Sequence, residues 1–70
     1  MEKGLIQAEG VVLESLPSAT FRIKLGTGEE IIGHLSGKMR MYSIKISAGD
    51  KVSVEMSPYD KTRGRITRRL

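Results

Sequence analysis

The stretch "TFRIKLGTGEEIIGHLSGKMRMYSIKI", Thr20 to Ile46, decides how this chain folds. Its first six residues set Phe21, Ile23 and Leu25 against Thr20, Arg22 and Lys24, the period of two that marks a strand buried on one face. Gly26 and Gly28 then separate two apolar runs, and the tolerance of glycine for positive φ predicts a tight hairpin with a bulge there. A second strand follows from Glu30 to Leu35. After it the alternation breaks. Ser36 is placed to cap a short helical turn with Gly37 inside it, and Ile44 and Ile46 bring apolar groups back to the core at strand spacing.

The same reading extends outward from this stretch. Leu5 to Leu16 is long for one strand, and Gly10 in its middle predicts a bulge, or a bend where another backbone approaches closely. Pro17-Ser18 ends it. On the other side, Gly49-Asp50 is a turn that starts a strand with Val52, Val54 and Met56 alternating against Lys51, Ser53 and Glu55. "SPYD" closes that strand, with Pro58 stiffening its entry and Asp60 accepting backbone hydrogen bonds. "GRITRRL" supplies a short fifth strand around Ile66. Five short strands with no helix of ordinary length indicate an all-β barrel or sandwich, and at 70 residues a partly open small barrel is the expected closure. A chain of this length forms one domain, residues 1–70, and buries only about 60% of the surface it exposes unfolded. The oligonucleotide-binding (OB) fold carries its helix between its third and fourth strands, where the interruption falls. The expectation is a five-stranded OB-fold barrel with a short helical turn between strands 3 and 4.

Charge is distributed unevenly. Residues 1 to 35 hold three cations against five carboxylates, a net of −2, whereas residues 36 to 70 hold nine cations against three carboxylates, a net of +6. A basic half of this kind fits a polyanionic partner, most often nucleic acid, with a solvated basic surface as the plain alternative. Arg40, Arg63 and Arg65 can present planar guanidinium forks to phosphate or stack on an unpaired base, while Lys38 acts as a point charge. Aromatic residues are only Phe21, Tyr42 and Tyr59. Phe21 alternates in phase with Ile23 and belongs to the core, so a stacking platform for single strands is nearly absent. Recognition is then expected to follow shape and charge around a structured RNA.

Other chemistry finds little support. "SGK" lacks the first glycine of a phosphate-binding P-loop at the required spacing, and Met39 stands where that motif needs a hydroxyl. His34 is the only histidine, which offers neither a metal cluster nor a triad; it reads as a polar residue of a strand face or as an RNA contact. Met39 can face the core, while Met41 is left exposed or set against RNA. The absence of cysteine removes disulfides and thiolate metal sites and favours a reducing compartment. No uncharged run approaches the length that spans a bilayer, and nothing at the N-terminus has the apolar core of a signal peptide. The expectation is a soluble protein without cofactor or metal, and not an enzyme.

The segments "ESLPSATFRIKL", "HLSGKMR", "GDKV" and "YDKTRGRI" together resemble bacterial translation initiation factor 1, and the likeness runs over essentially the whole chain. Members of that family are single OB domains that bind the small ribosomal subunit at its decoding A site, alongside the other two initiation factors. The resemblance implies RNA contact by Lys38, Arg40, Lys45, Arg63, Arg65 and Arg68, with His34 matching a further family position; Met41 is expected as a contact from its place in the loop, not from the resemblance. The lack of a heptad or large apolar patch predicts a monomer; plastid members of the family look similar, and the lack of a transit peptide favours a bacterial cytoplasm over the plastid stroma. Many members carry a basic residue at position 41 and an aromatic immediately before the Ile-x-Ile pair; this chain has Met41 and Ser43, with Tyr42 displaced by one. Two other classes share the barrel. A cold-shock type nucleic-acid chaperone would need dense aromatic motifs on strands two and three, which are absent, and a protein-interaction barrel would explain the charge only as solubility.

Overall fold

The computed structural model describes residues 5–41 and 45–70, and within the helix the side chains of Lys38 and Arg40 also lie outside the description. Five strands and one short helix follow in order: β1 (Ile6–Leu16), β2 (Thr20–Leu25), β3 (Glu30–Leu35), α1 (Gly37–Met41), β4 (Lys51–Ser57) and β5 (Asp60–Arg69). They close into a barrel in the order β1-β2-β3-β5-β4, with β4 returning to β1. Every neighbouring pair is antiparallel except β3 and β5, which run parallel. This is the OB architecture, with its helix between β3 and β4. The barrel is closed rather than partly open, because β1 is long enough to pair with β2 through one half and with β4 through the other, sharing Gly10, Val11 and the residues around them.

Alternation fixes which side chains enter. Val12 of β1, Phe21, Ile23 and Leu25 of β2, Ile31 of β3, Val52, Val54 and Met56 of β4 and Ile66 of β5 are all buried. Their removal from water supplies the main driving force for closure. Met39 closes one end of the barrel from α1 and is only 1% exposed, whereas Met41 is 74% exposed, the division of labour its position predicted. The helix begins as the sequence suggests, with the Met39 backbone N–H donating to Ser36 Oγ at 3.3 Å and the Ser36 N–H donating to the Ile66 carbonyl at 3.1 Å. Ile46 is buried as expected; the expectation for Ile44 lies outside the described residues.

Local features sharpen or depart from the sequence reading. Of the two roles predicted for Gly10, the structure shows the close backbone approach and not the bulge: a Cβ there would stand 2.7 Å from both Ile23 Cγ2 and the Lys24 carbonyl oxygen. The register break in β1 falls instead between Val12 and Glu14, which leaves Leu13 as the extra residue. The fifth strand is long, Asp60–Arg69, and reads short from sequence because Asp60 to Arg63 are all exposed and polar and the first inward position is the side-chain-free Gly64. Finally, the β1–β2 turn holds Ser18 and Ala19 at φ values of 64° and 56°, a left-handed conformation that non-glycine residues seldom adopt. The β2–β3 hairpin is more conventional. Gly28 has φ of 97°, and the turn closes with Gly28 N–H donating to Leu25 O at 2.9 Å.

Candidate nucleic-acid interface

The parallel pairing of β3 with β5 assembles the cations. Ile32 stands beside Arg63, Gly33 beside Gly64 and His34 beside Arg65. Gly33 and Gly64 are buried, so the alternate residues His34, Arg63 and Arg65 point outward in one row, and all three are exposed. On the other side β2 places Thr20 opposite His34 and Arg22 opposite Ile32. The result is a groove of about 350 Å³ lined by His34, Arg63 and Arg65 together with Glu55, Ser57 and Asp60.

Carboxylates temper this face. Arg65 donates to Glu55 at 2.8 Å, a pair that the β4–β5 register places directly opposite each other. Arg63 lies 4.0 Å from Asp60 and is 77% exposed, so its guanidinium is held loosely and can turn toward a ligand at little cost. Asp60 is already engaged on its own strand, accepting from Thr62 N–H at 3.1 Å and Thr62 Oγ1 at 2.6 Å. These bonds to Thr62, with Arg63 adding attraction, hold its carboxyl below the usual aspartate range. Asp60 thus accepts backbone hydrogen bonds as its place in the turn predicted. Arg22, also on this side of the barrel, is bound to Glu14 at 2.7 Å and reaches Glu30 at 3.5 Å. Those contacts, chiefly the hydrogen bond to Glu14, raise its pKa above the ordinary arginine value and keep it charged but occupied.

Helix α1 sits beside this row, packing on β3 and β5. Its sequence includes Lys38 and Arg40, whose side chains lie outside the described residues. Met41 ends the helix with its side chain in solvent. Two further predicted residues lie elsewhere. Lys45 is exposed, and its carbonyl accepts from the Arg69 guanidinium at 3.1 Å, next to the end of β5. Arg68 is exposed and pairs with Ser53 beyond the register shift near Thr67, and it does not line the groove. The sequence reading does not single out Lys61, although its spacing of two from Arg63 places it on the outward parity of β5. Among the described residues no group of three or more metal-ligating side chains occurs. No helix there is long and apolar enough to cross a membrane.

What the arrangement can do is bind an anion chain. One loosely held arginine, one paired arginine and an imidazole line a shallow open groove, beside a helix bearing two more cations. The sequence profile of the family described as translation initiation factor 1A / IF-1 matches residues 2–70 of this chain. Among solved structures, the chain is similar to translation initiation factor IF-1 from the wolbachia endosymbiont strain TRS of Brugia malayi, with 53% identity and a TM-score of 0.79 over 97% of this chain and 80% of that one. It is also similar to YjeQ from Thermotoga maritima, with 32% identity and a TM-score of 0.73 over 93% of this chain and 23% of that one.

Proposed function

We infer the role of this chain from its membership: it belongs to the translation initiation factor 1A / IF-1 family. On that premise it binds the small ribosomal subunit at the decoding A site through ribosomal RNA and assists assembly of the initiation complex with the other two initiation factors. It does so as a single-domain monomer, without cofactor and without catalysis, in a bacterial cytoplasm; the plastid stroma is the alternative compartment. The observation that carries the reading is the outward row of His34, Arg63 and Arg65, created by the β3–β5 register beside helix α1.

Each part has a physical task. Arg63 meets phosphate with a fork that its weak contact to Asp60 leaves available. Arg65 must either share Glu55 or give it up, which makes it sensitive to the geometry of the RNA it meets. Lys38 and Arg40, carried on a helical turn instead of a strand, are the cations assigned to an RNA groove, with Met41 against the RNA. Lys45 and Arg68 extend the positive field around the end of β5 and contact the backbone of the same RNA.

Competition between purified small subunits and an unstructured RNA of similar charge tests this reading, with chemical probing of the decoding-site bases as the readout. The protein should protect decoding-site bases and prefer the subunit. If roughly four to six phosphates are neutralised, log affinity falls with log salt at a slope of about −3 to −4. Equal affinity for the unstructured RNA, or a flat salt dependence, would remove the proposed role.

A further inference from the structure

A second concave surface lies between β1 and β2, away from the β3–β5 row. It is a groove of about 430 Å³ in which Val11 and Leu13 stand 38% and 40% exposed. The other outward residues of this strand, Gln7, Glu9 and Glu14, are polar. Val11 points outward by alternation, opposite Lys24 on β2 and Lys51 on β4. Leu13 joins it because the register shift makes Leu13 the unpaired extra residue, and such bulges re-aim a side chain. Leu25 lies buried beneath, and the backbones of Gly10 and Gly26 complete the floor without side chains to fill it.

The rim is cationic. Lys24 and Lys51 both line the groove, and among the described residues neither takes part in an ion pair. Among those residues Glu9 is the single carboxylate in the lining. An apolar slot flanked by two unpaired ammonium groups selects a ligand that is apolar at its centre and negative at its edges. No aromatic side chain of the described residues lines the slot, so a nucleic-acid base would find no stacking partner. A second copy of this chain joined about a two-fold axis through this face would bring four lysines together with only two Glu9 carboxylates, a net repulsion.

We propose that this groove docks an extended segment of a partner protein that presents an aliphatic or aromatic side chain next to carboxylates. The apolar side chain seats over Leu25 between Val11 and Leu13, and the carboxylates meet Lys24 and Lys51. This groove shares no lining residue with the β3–β5 groove, so both can be occupied together. The inference rests on the fold and not on the RNA reading, and it is tested on the free protein, so either can fail alone.

The probe is a capped hexapeptide, Asp-Glu-Leu-Phe-Asp-Glu, titrated into the isotopically labelled full chain to about 5 mM, a range suited to a short peptide in one shallow groove. Two control peptides replace the central pair by serines or the four acids by lysines. The expected result is saturable amide shifts at Val11, Leu13, Lys24, Leu25 and Gly26, with affinity at least tenfold weaker for either control. Leu13→Gln should abolish saturation. The pair Lys24→Glu with Lys51→Glu should weaken binding at least tenfold, with circular dichroism unchanged in all variants. If a variant unfolds, the control peptides on the unmodified chain decide the matter. Shifts confined to His34, Arg63 and Arg65, or no saturation, or an equal response to the serine peptide, would overturn the proposal. So would an RNA oligomer producing the same shifts at Val11 and Leu13, or a concentration-dependent dimer producing them without peptide.

Discussion

Replacing Gly10 with alanine adds one carbon at the tightest point between β1 and β2. That Cβ would sit 2.7 Å from Ile23 Cγ2, 2.7 Å from the Lys24 carbonyl oxygen and 3.2 Å from Leu25 Cδ2. Comfortable carbon contacts begin near 3.5 Å, so the strands must part by about 0.8 Å. Neither neighbour yields easily. Ile23 is fully buried and branched at Cβ, and the Lys24 carbonyl is backbone in the β1–β2 region. Overpacking of this kind costs about 1–3 kcal/mol, offset by about 0.4–1 kcal/mol because alanine restricts the unfolded chain. The net loss is about 1–2 kcal/mol, a serious fraction of the roughly 3.5–10 kcal/mol expected for a domain of this size. At about 4–8 °C per kcal/mol, thermal unfolding followed by circular dichroism should show Tm lowered by about 4–16 °C. Gly26→Ala is the matched control. A Cβ there meets nothing within 4 Å and its φ is not left-handed, so the same substitution should leave stability unchanged or raise it by about 0.4–1 kcal/mol. If the two variants unfold at the same temperature, close backbone approach is not why position 10 is glycine.

Three further outcomes follow from the cationic row. Lys38→Glu with Arg40→Glu should abolish competition for small subunits while changing stability by only about 0.5 kcal/mol, whereas Lys24→Glu with Lys51→Glu, an equal charge change, should retain most of the affinity; equal losses would mean that net charge alone drives binding. Glu55→Gln releases Arg65 from its carboxylate and should tighten subunit binding with little change in Tm, since exposed pairs of this kind contribute at most about 1 kcal/mol; weaker binding would show that Glu55 orients the arginine. For Asp60 the folded carboxyl is held below its ordinary value of 3.8, so its contribution is present above that value and is lost as pH falls through the lowered one. The Tm difference between the parent chain and Asp60→Asn, measured from neutral pH downward, should therefore shrink in that acid range and stay constant above it.

Much of the barrel was legible because its inward residues alternate with polar ones: Phe21, Ile23 and Leu25 announce β2, and Val52, Val54 and Met56 announce β4. The helix was legible from the break at Ser36 and from the single methionine that had to turn inward. Where the pattern is uniformly apolar, as in Val11-Val12-Leu13, periodicity cannot say which residue is extra, so the register shift was hidden. Where a glycine replaces an apolar residue, as at Gly64, the strand reads shorter than it is. The left-handed Ala19 left no trace because alanine carries no preference for that conformation. The candidate interface was legible as a set of cations but not as a surface. Which of them meet depends on a parallel register between strands far apart in sequence, and so does the sorting of Arg63, in the groove, from Arg68, outside it. The pairing of Arg65 with Glu55 arises from the β4–β5 register and could not be read from spacing alone.

The parallel ladder of β3 and β5 also bears on the order in which the molecule forms. β1, β2 and β3 are joined by short hairpins and can associate early, as can β4 with β5. The meander and the hairpin meet through β1 with β4 and through β3 with β5, and these seams close the longest loops in the chain. Loop-closure entropy makes such contacts the slow ones, so docking of the two halves is the expected rate-limiting event, in milliseconds to seconds. His34 comes from one half and Arg63 and Arg65 from the other. Neither half alone can display the row. A nascent or partly folded chain therefore presents no competing copy of this surface, and if the row binds as proposed, competence for a polyanion arrives at the same moment as the native state.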